Sequence, residues 1–293
     1  MAVQPSTESP LDWCARRLLV PGHPLSITLP YAAAGLRDRI LSLNAVISEI
    51  ASIPGAVSDP DVARRKLDWW GQALVEQAPH PALQAWIASG GAEVVDAQRF
   101  DALIAAVGLE IEPPRFEQLA ALESHCRCLA GPAARLEAEL TDGQSAAGGS
   151  ADDELDGAKV HDRLVDLAAA GYKIRMARDL VIDARQDRWL VPLELQAEYQ
   201  LTRQQVAAGE GAHRLAALVR HLVVDAIGRI DREMAELAGA PAWRHRHQVL
   251  RAHLDRRLGR LLLRRPGRIV RERVLSTGPL ATFSVWRQAR RLR

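Results

Sequence analysis

Through most of this chain apolar residues recur three and four positions apart, while runs alternating in twos are scarce, so the sequence predicts helices almost throughout. The first long helix spans Ala32 to Ala51, with Leu36, Ile40, Leu43, Ile47 and Ile50 on one face, and Pro54-Gly55 ends it. A second starts at Ser58-Asp59-Pro60, where Ser or Asp can cap and proline suits the first turn, and carries Leu67, Trp70 and Leu74. Shorter helices follow at Pro81 to Ala88 and Ala97 to Val107. From Pro114 to Leu140 the positions Leu119, Leu122, Cys126, Leu129, Leu136 and Leu140 again keep helical spacing. Small, polar and acidic Thr141 to Gly157 reads as a flexible linker. Ala158 to Arg185 forms one helix, Pro192 opens another, and a strong helix runs from Ala212 to Leu237. The expected fold class is therefore all-α.

Composition adds bounds. The 293 residues are 48% hydrophobic and 25% charged, which is ordinary globular usage. The N-terminus lacks a basic start followed by an apolar run, and no stretch approaches the ~18 apolar residues of a membrane span. Three cysteines fit a reducing compartment, so cytoplasmic residence is expected. Net charge is +2 but unevenly placed: Arg244 to Arg293 holds fifteen arginines against Asp255 and Glu272, a net of +13 that leaves −11 on the rest. With Val249, Leu250, Leu254, Leu258, Leu261 and Leu262 interleaved, this tail reads as an amphipathic basic helix. It suits an anionic membrane surface at the inner face, an acidic protein partner, or the acidic body of its own chain. No recognition motif accompanies the charge, so nucleic acid is not expected.

Candidate chemistry concentrates between Arg178 and Pro192. Asp179 and Asp183, four apart, share one helix face, and Arg178, Arg185 and Arg188 lie close in sequence. Paired carboxylates with guanidinium forks are what Mg2+ and a bridged diphosphate require, the metal wanting hard oxygen ligands and the phosphates wanting Arg. A plainer reading is a solvated face in which Arg175 pairs with Asp179 one turn on. Arginine-only binding of a diphosphate, through Arg175, Arg178, Arg185 and Arg188, stands between the two. Trp69 and Trp70 read either as walls of an apolar pocket or as core plus rim. His245, His247 and His253 fit no common zinc spacing, and Cys126 and Cys128 on one helix point apart.

The frame Tyr172-Lys173-Ile174-Arg175-Met176-Ala177-Arg178-Asp179-Leu180-Val181-Ile182-Asp183, followed by Ala184-Arg185-Gln186-Asp187-Arg188-Trp189-Leu190-Val191-Pro192, resembles the second aspartate-rich helix and following loop of the squalene and phytoene synthase family. Val57-Ser58-Asp59-Pro60, Leu67-Asp68-Trp69-Trp70, His80-Pro81 and Leu119-Ala120-Ala121-Leu122-Glu123 are similar to further landmarks, in the same order, over roughly residues 11 to 240. The resemblance implies an isoprenoid-synthase-like helical bundle with a central cavity, one domain over 1–293, an N-terminal extension at 1–25 and basic C-terminal helices at 243–293. It also implies an Mg2+ site at Asp179 and Asp183 with prenyl diphosphate as ligand. The family's first aspartate motif is missing, however: Ser48 to Ala56 offers Glu49 alone, and Arg175, Ile182 and Leu190 replace the family's amide, glutamate and tyrosine. That pattern resembles a divergent branch that includes a mitochondrial complex I assembly factor and is thought to lack conventional synthases. The expected function is a non-condensing protein that binds a prenyl diphosphate or lipid; the alternative is an active magnesium-dependent transferase joining two prenyl diphosphates.

Overall fold

The computed structural model describes residues 8–143, 151–237 and 239–292, and among them no strand occurs. Fifteen α-helices follow one another: α1 (Pro10–Leu18), α2 (Leu25–Thr28), α3 (Arg37–Ala51), α4 (Ile53–Ala56), α5 (Pro60–Glu76), α6 (Pro81–Ala88), α7 (Asp101–Gly108), α8 (Leu119–Asp142), α9 (Ala151–Arg185), α10 (Leu193–Glu198), α11 (Arg203–Ala207), α12 (Ala212–Glu236), α13 (Ala240–Arg244), α14 (Arg246–Arg264) and α15 (Pro279–Arg291).

Local chemistry sets several of these boundaries. Asp59 accepts from the amides of Asp61 and Val62 at the start of α5, and His80 Nδ1 accepts from Ala82 N at the start of α6. Gln77 closes α5 in the left-handed region at φ 54°. Pro54 and Gly55 do not simply stop α3; they form the single turn α4 that leads into α5. Helix enters the segment Thr141–Gly157, expected to be a linker or loop, from both sides. α8 extends through Asp142 and α9 is helical from Ala151, while 144–150 lie outside the described residues.

Two large apolar clusters carry the packing. One gathers α1, α3 and α5 to α7 around Leu43, Val46, Ile50, Leu83 and Phe100. The other gathers α8, α9, α12 and α14 around Ile174, Leu218, Leu222, Ile230 and Leu258. α8 belongs to both, giving Leu136 and Leu140 to the first and Leu122 and Cys126 to the second. Each such fully buried side chain contributes about 1.5–3 kcal/mol relative to exposure.

Of the partners that suit the basic tail, α14 takes the body of its own chain. It packs along α9 and α12 with Val249, Leu250, Leu254, Leu258 and Leu262 buried. Its arginines reach carboxylates of the body, Arg256 donating to Asp231 at 2.6 Å and Arg251 lying 3.5 Å from Glu137. Where α14 crosses α9, Gly171 leaves room for the Asp255 carboxylate: a Cβ there would stand 2.3 Å from Asp255 Oδ2. α15 lays Ala281, Val285 and Ala289 on Leu250 and Leu254.

Candidate functional site

Where α3, α4, α7, α8, α9 and α14 meet, packing leaves a cavity of about 990 Å³. Its apolar walls include Leu103, Val107, Leu129, Ala133, Leu164 and Leu167, of which Leu103 and Val107 belong to the first apolar cluster and Leu164 and Leu167 to the second. Pro132 within α8 leaves one turn without its usual amide bond beside this wall.

The charged part of the lining is built from pairs. Arg188, just past α9, donates to Asp183 Oδ2 at 2.7 Å, to Tyr172 Oη at 3.0 Å and through Nε to Glu110 Oε2 at 3.2 Å. His125 Nε2 lies 2.9 Å from the other oxygen of Glu110. Arg175 pairs with Asp255 of α14. Arg251 donates to Asn44 Oδ1 at 3.0 Å and lies against Glu137, whose remaining oxygen meets His247 Nδ1 at 2.5 Å.

Environment sets the protonation of these groups. Burial raises Asp183 above its ordinary range, more than Arg188 can offset. Burial acts on Glu110 in the same direction, yet a hydrogen bond from His125 and the charge and bonds of Arg188 outweigh it and hold the pKa below its ordinary value. For Glu137 the opposing effect of burial is overcome by His247 and Arg251, and its pKa falls to about 2. Burial, with Glu110 nearby, pushes Tyr172 up to about 12.

Of the residues singled out in the sequence, Arg175, Arg188 and Asp183 line the cavity together. Asp179 is instead gripped from both sides: Arg178 Nε donates to it at 2.8 Å, and Arg273, ninety-four residues on, contributes two bonds of 2.9 and 3.0 Å. These bonds overcome the effect of burial and lower its pKa. The expected Arg175 to Asp179 pair does not form, because Asp255 lies across the Gly171 crossing and takes Arg175. Arg185 is exposed, its Nε bonding Ala207 O at 3.3 Å.

Glu49 belongs to another network, paired with Arg17 at 2.6 Å. The acid facing Asp183 is Glu110, which follows α7 in irregular chain with no motif to mark it. Pro54, Gly55, Ala56, Val57 and Ser58 line the wall where the first acidic motif was sought, and none is a carboxylate.

Trp69 and Trp70 stay out of the cavity lining, Trp70 buried and Trp69 exposed, edge-on to one another beside His80. Cys126 is buried, which pushes its thiol up to about 12, and Cys128 is exposed. The three tail histidines separate: His245 turns to Asp142, His247 to Glu137 and Thr28, and His253 to Ser284.

Against known proteins, the model of the family described as squalene/phytoene synthase matches residues 22–280, so it takes in α14, which the landmark motifs had not reached. The fold is similar to that of a ligand-bound dehydrosqualene synthase, with a TM-score of 0.78 at 12% identity over 96% of this chain and 95% of that one. It is also similar to squalene synthase HpnC from Alicyclobacillus acidocaldarius (TM-score 0.65, 17% identity, 88% and 94% covered) and to TcSQS in complex with a ligand (TM-score 0.70, 12% identity, 96% and 86% covered). A search of the curated proteins finds none that matches the sequence.

Proposed function

Because the chain belongs to the squalene/phytoene synthase family, we propose that it is a divergent member whose cavity holds an isoprenoid chain, as prenyl diphosphate or another lipid, without head-to-head condensation. The pairing of charges around the cavity carries this reading. Condensation through Mg2+ needs carboxylate oxygens open to the ligand on two walls. Asp179 is held by Arg178 and Arg273, Asp183 and Glu110 share Arg188, and the α4 wall offers Pro54 and Gly55. A magnesium ion does not fit these donors as they stand.

Among the described residues five carboxylates line the cavity (Glu110, Glu137, Asp183, Asp187, Asp255) against three guanidiniums, which makes this lining net negative. A diphosphate is admitted only when Arg175, Arg188 or Arg251 leaves its own carboxylate, whereas the apolar walls take a chain without rearrangement. The other reading, a magnesium-dependent transferase joining two prenyl diphosphates, rests on the retained Asp179 and Asp183.

Incubation with farnesyl or geranylgeranyl diphosphate and Mg2+ separates the two. The expected result is a raised melting temperature with no diphosphate released. Release that disappears in Asp179→Ala would overturn the non-condensing reading, and absence of any melting shift with either ligand would remove the binding reading.

Two features support the remaining parts of the proposal. α1 and α14 both pack into the bundle, consistent with one domain over 1–293. On α15, Leu280, Phe283 and Trp286 are 75%, 58% and 44% exposed beside Arg287, Arg290 and Arg291, which suits peripheral contact with an anionic bilayer. Among the described residues no helix is long and apolar enough to cross a membrane.

A further inference from the structure

Away from the cavity, three segments distant in sequence bring Asp142, His161 and His245 together. Asp142 ends α8, His161 lies on α9, and His245 sits at the junction of α13 and α14. Both imidazoles aim the same atom at one carboxylate. His161 Nε2 is 2.7 Å from Asp142 Oδ2, and His245 Nε2 is 3.3 Å from Oδ1. The three donor atoms all lie within 4.8 Å of one another. The two rings stand nearly perpendicular, at 87° and 6.1 Å between centroids.

The ring of His245 is almost wholly buried, and its Nδ1 has no hydrogen-bond partner. Its Nε2, aimed at Asp142, is therefore the polar atom through which the ring is engaged. Arg244 also approaches Asp142 Oδ1, at 3.4 Å, but its side chain is 54% exposed and can turn into water.

We propose that Asp142, His161 and His245 form a binding site for one zinc-like divalent ion, completed by water. Two imidazole nitrogens and one carboxylate oxygen, with a fourth position open, suit Zn2+ or Co2+ and exclude Mg2+, which takes oxygen ligands. Metal bonds of about 2.0–2.2 Å in tetrahedral geometry set ligand atoms roughly 3.3 Å apart. The three donor atoms, within 4.8 Å of one another, close to that spacing by small side-chain rotations that bring both imidazoles onto one oxygen of Asp142. None of the three residues lines the cavity, so the ion would act as a tie holding the start of α14 to α8 and α9. This inference is independent of what the cavity binds.

The test titrates protein free of any affinity tag with Zn2+ and Co2+, followed by calorimetry and by the visible absorption of bound cobalt. The expected result is one ion per chain, cobalt bands that zinc abolishes and magnesium leaves unchanged, and binding weakened by about 100-fold or more in Asp142→Asn and His161→Ala. Circular dichroism checks that the variant at half-buried His161 keeps the fold. A further variant, His161→Glu, restores a ligand and should regain part of the affinity. Absence of saturable 1:1 binding, or affinity unchanged in His161→Ala/His245→Ala, would overturn the assignment.

Discussion

Replacing Arg188 by methionine keeps the length of the stem and removes the charge that Glu110 and Asp183 share. Each attraction at ~4 Å is on the order of 4 kcal/mol at an effective dielectric of about 20. The cost of desolvating Arg188 offsets much of the two. The side chains of Arg188, Glu110 and Asp183 keep 23%, 15% and 16% of their exposure, so water relieves part of the strain in the variant. The expected loss is therefore about 2–4 kcal/mol, toward the lower side of what breaking a buried pair costs.

The pH dependence makes this prediction specific. Glu110, lowered in the native protein, contributes stability that is present above its unfolded pKa and is lost as pH falls through the folded value. In Arg188→Met burial acts on both carboxyls with less opposition. Asp183 then lies higher still and Glu110 is lowered less, so the variant loses stability relative to the native protein as pH rises through them. The gap between native protein and variant must widen from pH 5 to pH 8, read as the shift in urea midpoint at constant m. A loss below about 0.5 kcal/mol, the scatter of ordinary surface substitutions, or a gap that narrows with rising pH, would refute the argument.

Gly171→Ala places a methyl group against Asp255 and breaks its pair with Arg175, and should cost about 1–3 kcal/mol by chemical denaturation; an unchanged midpoint would mean that α14 can move aside. Glu137→Gln should remove about 3 kcal/mol at pH 7, because a carboxyl with pKa about 2 stabilises above its unfolded value near 4.3 and loses that contribution as pH falls toward 2. Acid titrations of native and variant protein should accordingly converge at low pH, and parallel curves would contradict the assignment. Phe283→Ser/Trp286→Ser should leave stability within about 1 kcal/mol while reducing co-sedimentation with vesicles rich in anionic lipid; equal sedimentation would rule out α15 as the contact.

The helices were legible because their apolar spacing is regular, and Pro81–Ala88 appears as read, since His80 caps it and Pro81 fixes its first turn. α14 shows what charge counting leaves open. Its arginines suited a membrane, an acidic partner or the chain's own body alike, while Val249, Leu250, Leu254, Leu258 and Leu262 at three and four spacings described a buried stripe; the guanidiniums find acids that only folding brings near. Asp183 and Arg188 could be found because one motif contains both. Glu110 could not, because it sits seventy-eight residues from Arg188 in irregular chain and becomes part of the site only through tertiary packing.

Each guanidinium in the cavity wall is also a fastening between separate parts of the bundle: Arg175 joins α9 to α14, Arg251 joins α14 to α8, and Arg188 joins the end of α9 to the chain after α7. A headgroup that takes any one of them unties two segments at the same moment. Binding of such a headgroup is then a change of the protein's shape, and by reciprocity whatever loosens α14 from outside must alter the affinity for that headgroup.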